Sequence, residues 1–204
     1  MPEITLKKYI TTNLNNKWGD CMGFLDPLKK TGDAVGSRTA KIPDGIWAPI
    51  MGGILIFVIG VIGLIAGQPW LFPSLGPTAY LQVENPGLKS AHIYHVIVGH
   101  YVGIVSGLIG IAIFGLWSTP SVLISHHLLP AWVGAATIAI FLTIIINMFL
   151  RASHPPAAAT TLLVALGAFI TPTQILSLII GILILAIIGE ALRKIRTSGN
   201  TESS

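Results

Sequence analysis

Four long apolar runs and two shorter, interrupted ones follow one another along this chain. Residues 47–66, 93–117, 128–150 and 174–192 each approach or exceed the roughly 20 apolar residues that carry a helix across a hydrocarbon core of about 30 Å. The shorter runs, 71–83 and 154–170, sit between the first and second and between the third and fourth, and proline or glycine interrupts both. Long, short, long is thus written twice. The repeat is also visible residue by residue: Ser74-Leu-Gly-Pro-Thr-Ala79 reappears 79 residues later as Ser153-His-Pro-Pro-Ala-Ala158. At the same offset, 93–117 falls on 172–196 and 47–66 on 126–145. The expected fold class is an all-α integral membrane protein. Four long and two short or broken membrane segments would form a duplicated three-segment unit, with repeats at about 47–117 and 126–196.

The short pieces could dip into the bilayer and return, or they could cross it, partly as extended backbone shielded by the long helices. Charge separates the two. With six crossings, Lys89, Arg151, the basic N-terminal arm and Arg193-Lys194-Ile195-Arg196 share one side, while the connections 67–70, 118–127 and 171–173 contain no Lys or Arg. With two re-entrant pieces, Lys89 and Arg151 lie on the other side from the arm. Positive-inside bias favours six crossings with cytosolic termini. The second copy then enters from the opposite face to the first, giving an inverted duplication, an arrangement suited to alternating access.

Composition agrees: 52% of residues are hydrophobic and 10% charged, against about 25% charged in a soluble domain. The pI near 9.4 follows from basic residues that set topology, so nucleic acid is not an expected partner. Residues 1–45 carry seven Lys/Arg and five Asp/Glu without an apolar stretch. That fits neither a secretory signal nor a transit peptide. It reads as a weakly structured cytosolic arm, in which 4–14 could form a short surface helix with Lys7 and Lys8 on its polar side. A bacterial-type cytoplasmic membrane is the expected location, with the membrane domain at 46–192 and a basic, disordered tail at 193–204. The single cysteine, Cys21, lies in the arm and can form no intrachain disulfide.

A helix that crosses only half a membrane leaves first-turn N–H groups unpaired, and its dipole places about half a positive charge at that end. Pro77 and Pro156 suit such a first turn, since proline has no N–H to orphan. Ser74 and Ser153 precede them with hydroxyls, Gly76 leaves its backbone approachable, and Pro155 and Ala157 complete the second copy. Two such ends entering from opposite faces can meet near the middle and hold a small anion without Lys or Arg in the bilayer. The same residues are also ordinary packing material in membrane helices, but two copies at matching positions favour a site.

His100 and His154 are the ionisable groups that fall inside the apolar segments, which makes them functional candidates. His92, His95, His126 and His127 fall at interfaces or in loops, without a cysteine or acid to complete a metal shell, so no metal or cofactor is expected. Glu190 has Arg193 and Lys194 three and four residues on and reads as a helix-surface ion pair. Without a mid-membrane carboxylate, any proton that moves would be carried by histidine. Asn147 could line the path or make an interhelical hydrogen bond. Thr78, Thr160 and Thr161 could offer hydroxyls to a ligand or back-bond to their own helices. The stripe Gly103, Gly107 and Gly110 permits a close helix interface, within one chain or in a homo-oligomer.

Ser-His-Pro-Pro-Ala-Ala at 153–158, together with Pro73-Ser-Leu-Gly-Pro-Thr-Ala79 and Gly99-His100, resembles the HPP family of integral membrane proteins over about residues 43–192. Members of that family are described as nitrite transporters of plastid and photosynthetic-bacterial membranes, so the resemblance implies nitrite here. Its motif positions are Pro73, Ser74, Gly76, His100, His154, Pro155 and Pro156. Pro77 and Thr78 stand where small residues are expected, and Ala158 where a glycine is, which bears on pore width. The expected function is therefore transport of a small monovalent anion, with Ser74, Gly76, Pro77, Thr78, His100, Ser153, His154, Pro155, Pro156 and Ala157 as substrate-binding residues. A passive anion channel and a non-transporting scaffold or sensor subunit are the rival readings. No nucleophile–base pair suggests an enzyme.

Overall fold

A computed structural model describes Thr39 and residues 42–200, with side chains through residue 198. The expectations placed on 4–14, Lys7, Lys8 and Cys21 lie outside the described residues. Helix α1 (Asp44–Ile65), the short α2 (Leu75–Glu84) and α3 (Ile93–Ile113) form the first unit. After the single turn α4 (Val122–Ser125) come α5 (Pro130–Phe149), the short α6 (Ala157–Ala165) and α7 (Pro172–Asn200). Long, short, long is thus repeated, and no strand occurs among the described residues. Four helices are long and apolar enough to cross a membrane: α1, α3, α5 and α7.

The register of the repeat differs from the gap-free reading. The 79-residue offset holds between the starts of α3 and α7, at Ile93 and Pro172, but Leu75 and Ala157, which open the short helices, are further apart than that. The difference arises after the short helices, because α2 is one residue longer than α6 and the α2–α3 connection is longer than the α6–α7 one. The C-terminal boundary also moves. Residues 193–200 continue α7 as helix rather than forming a disordered tail. Arg196 holds that last stretch down: its guanidinium donates to the Thr39 and Ile42 carbonyls, pairs with Asp44, and lies 5.2 Å from the centre of the Trp47 ring. The two described ends of the chain therefore lie on the same side of the bundle.

The short segments carry the chain from one end of the bundle to the other. Near the C-terminal end of α1, the Trp70 indole N–H donates to Ser177 Oγ at 2.8 Å, and the Ser177 hydroxyl donates to Gln68 Oε1. At the far end of α2, the Gln82 side chain packs against Gly189, and Arg193 donates to the Pro86 carbonyl. Residues 68–86 therefore run alongside α7 from Ser177 to Arg193. The second segment runs alongside α3. Tyr94 donates to the Leu150 carbonyl, Thr161 lies against Gly103, Val164 lies against Gly107, and Val122 N–H finally reaches the Leu166 carbonyl beyond the other end of α3.

The neighbour pattern interlocks the two units. Helix α3 packs on α5 and α6 of the second unit, and α7 packs on α1 and α2 of the first. Helix α3 is central, with 56% of its apolar window buried against 17% for α1. Its glycines make that position possible. A Cβ at Gly103 would lie 2.8 Å from Thr161 Oγ1, one at Gly107 2.7 Å from Val164, and one at Gly110 2.6 Å from the Ala135 carbonyl. The stripe is therefore buried inside one chain, where small residues let backbones approach closely. Leu55, Ile59, Trp70, Phe72, Leu75, Ile104, Val164, Leu178, Ile182 and Leu185 fill the shared core. Phe57, Leu64, Phe141 and Phe149 point outward, as lipid-facing side chains do.

Candidate functional site

The starts of the two short helices flank the middle of α3. Leu75 joins Ile104 in the core, and Ala157 lies against Gly99 and Gly103. Gly99 is essential to this meeting, because a Cβ there would stand 2.7 Å from His154 Cβ. The connection that bears His154 is thereby pulled in against α3, and the rings of His100 and His154 come to 4.9 Å centroid to centroid.

Four buried side chains form one hydrogen-bonded line. The His154 Nδ1 lies 2.8 Å from the Ser90 carbonyl, the Thr78 hydroxyl lies 3.2 Å from His154 Nε2 and 2.9 Å from His100 Nε2, and the Thr160 hydroxyl lies 2.7 Å from His100 Nδ1. Donor and acceptor roles follow from the one fixed end. A carbonyl only accepts, so Nδ1 of His154 carries its proton, and in a neutral ring Nε2 is then an acceptor. The Thr78 hydroxyl donates to it. His100 Nε2–H donates in turn to the Thr78 oxygen, and the Thr160 hydroxyl donates to His100 Nδ1. With both rings neutral, this is the arrangement that satisfies all four contacts. The Ser74 carbonyl, 3.2 Å from the Thr78 hydroxyl, offers that proton a second acceptor.

The structure thus brings together Thr78, His100 and His154, with Ala157 packed behind them and Ser74 at the N-terminus of α2. The Ser74 hydroxyl is buried without a hydrogen-bond partner. Pro156 is buried as the residue preceding α6. Gly76, Pro77, Ser153 and Pro155 lie elsewhere: all four are exposed. Gly76 faces a groove between α1 and α2, while Ser153 and Pro155 face a cavity beside α5. The first-turn amides of α6 are not free either. Ala157, Ala158 and Ala159 donate to the His154, Pro155 and Pro156 carbonyls, because the Pro-Pro turn closes on itself before the helix begins. The α6 end therefore supplies dipole and His154, not a cradle of bare N–H groups.

Ser90 was not legible as a site residue, since only its carbonyl is used and backbone carbonyls carry no sequence signal. Thr160 stood out only as a hydroxyl near a helix start. Thr161 bonds Thr143 of α5 at 2.9 Å and its own helix at Ala157, so it ties helices together. The expected Glu190 pair forms, with Arg193 at 2.8 Å and Lys194 at 3.8 Å. Glu190 is buried rather than on the surface, and it also accepts the Ile93 N–H that opens α3. His126 and His127 are exposed, and no group of His, Cys, Asp or Glu among the described residues has the geometry of a metal site.

The family model for the HPP transmembrane region matches residues 37–201. The chain belongs to the HPP transmembrane family. The match spans both repeat units and both histidines, so the His-Pro-Pro turn at 154–156 that builds this centre lies inside the HPP region. No curated protein and no solved structure matches the chain.

Proposed function

We propose that this HPP membrane protein moves a small monovalent anion, nitrite first, between the two faces of the cytoplasmic membrane. The observation that carries the reading is the line Thr160–His100–Thr78–His154–Ser90, buried where two broken membrane segments meet. Resemblance to a family described as nitrite transporters supplies the choice of anion. Support for an inverted duplication comes from the running directions: α1 and α3 run opposite to 68–86, and in the second unit α5 and α7 run opposite to 150–166. The basic residues Lys89, Arg151, Lys194 and Arg196 gather at one end, which favours cytosolic termini.

The centre handles charge by neutralising it. A proton taken up at His154 Nε2 turns that atom from acceptor to donor, and the Thr78 hydroxyl swings its proton to the Ser74 carbonyl. His154 then carries a positive charge beside the cavity that it lines next to α5, where an anion can pair with it. One proton and one monovalent anion enter together, so no net charge is desolvated, which is otherwise prohibitive in an apolar interior. The step conserves charge and needs no metal.

Nitrite uptake into proteoliposomes tests this. Uptake is expected to saturate, to rise with an inward proton gradient, and to be stimulated by nitrite preloaded inside. Saturable uptake without stimulation by preloaded anion would point to a channel. Rates equal to those of protein-free vesicles would overturn the reading.

A further inference from the structure

The same basic end holds a second feature that the histidine line does not use. Lys89, Ser90, His95, Asn147, Arg151 and Ser153 surround a cavity of about 570 Å³ with no acidic residue in its wall. The other cations at this end are matched: Arg193 and Lys194 by Glu190, and Arg196 by Asp44. Lys89 and Arg151 have no acidic partner among the described residues. The Asn147 side chain is 7% exposed and its Oδ1 has no hydrogen-bond partner, and neither has the buried Nδ1 of His95. Polar groups are normally satisfied when buried, so these point to something that completes them. The cavity adjoins a smaller one, of about 320 Å³, that shares Asn147 and Ser153 and reaches His154.

Arg151 stands in an unexpected conformation. It has φ of +50°, in the left-handed position that closes a helix. The same position after α1, α3 and α6 is occupied by Gly67, Gly115 and Gly167. Glycine is the unstrained choice there, and at α5 alone among these four the chain has a guanidinium instead, aimed from the rim of the cavity.

We infer that the Lys89–Arg151 cavity is an entry site that binds a small hydrated oxyanion before it reaches His154. Arg151 and Lys89 supply charge, Ser153 and the Asn147 amide N–H donate hydrogen bonds, and the unpartnered Asn147 Oδ1 accepts from a water of the anion. The cavity has room for an anion with its first waters, at about 30 Å³ per water. Cations around a low-dielectric mouth raise the local anion concentration. The role rests on the transport reading, but the binding itself does not.

The test is thermal unfolding of the full chain in detergent, titrated with sodium nitrite against sodium gluconate at equal ionic strength. A ligand that binds the folded state raises the midpoint increasingly as its concentration passes the dissociation constant. Arg151→Gly is the informative variant, because glycine suits the backbone there and the protein folds at least as well without ligand. Its nitrite-dependent rise is expected to fall below about half of the wild-type rise, with Arg151→Lys restoring most of it. A full response in Arg151→Gly, or no nitrite response in the wild type, would overturn the entry site. If the response needs Arg151 but the vesicles take up no nitrite, the entry site stands and the transport reading falls. If uptake is saturable with the same half-saturation in Arg151→Gly, the entry site falls alone.

Discussion

Thr78 is the residue on which the centre turns, since its one hydroxyl joins two rings from opposite units. Replacing it with valine keeps the shape and leaves two buried imidazole nitrogens unpaired, a loss of about 1–3 kcal/mol. Thr78→Ser keeps the hydroxyl. A lower midpoint of thermal unfolding is therefore expected for Thr78→Val but little change for Thr78→Ser, and equal midpoints would show that the hydroxyl bridges nothing. His100 and His154 were legible from sequence because an ionisable group in an apolar run is conspicuous. Their bridging by Thr78 was not, because Thr78 and His154 are 76 positions apart and only the packing of α6 on α3 joins them. Gly76 and Ser153 were misplaced for a related reason. The motif alignment fixes neighbours along the chain but not which face of the segment turns inward.

At the scale of elements, the contact between α3 and α6 sets everything downstream. Gly99, Gly103 and Gly107 occupy one face at four-residue spacing, and each meets α6 or the turn before it within contact distance. Gly107→Val would push against Val164 and the backbone of Ala165, and overpacking of this kind costs about 1–3 kcal/mol or more where backbone must move. We expect a lowered unfolding midpoint and loss of nitrite uptake together, measured on the same preparation. An outwardly facing substitution, Phe57→Leu, should leave both intact. The glycine stripe was visible in the sequence, yet its partner was not, because a small-residue face is equally compatible with a helix of the same chain or of another copy. Helix lengths were legible from the apolar runs. The continuation of α7 to Asn200 was missed, because 193–200 is polar and its helix is held through Arg196 by residues from the other end of the chain.

For the whole molecule, the decisive feature is that each short segment runs from one end of the bundle to the other. Lys89 and Arg151 could announce this in the sequence because charge bias is read from loops, whereas the interlocking of α3 with α5 and α6 leaves no trace in composition. In a background carrying Cys21→Ser, Pro69→Cys and Gly87→Cys should react with a membrane-impermeant thiol reagent from opposite faces of the membrane. Both sites are exposed and flank the first short segment, so labelling of both from one face would show that the segment turns back.

Nitrite uptake by His154→Gln beside wild type, at equal reconstituted protein and across about pH 5.5 to 8, tests the central claim most directly. Glutamine keeps the hydrogen-bonding bulk but cannot carry a proton between Thr78 and Ser90. Wild-type uptake should rise as pH falls, and the variant should be slow at every pH while inserting normally. Uptake of the same rate and pH profile in both would contradict the histidine centre as the path of the anion.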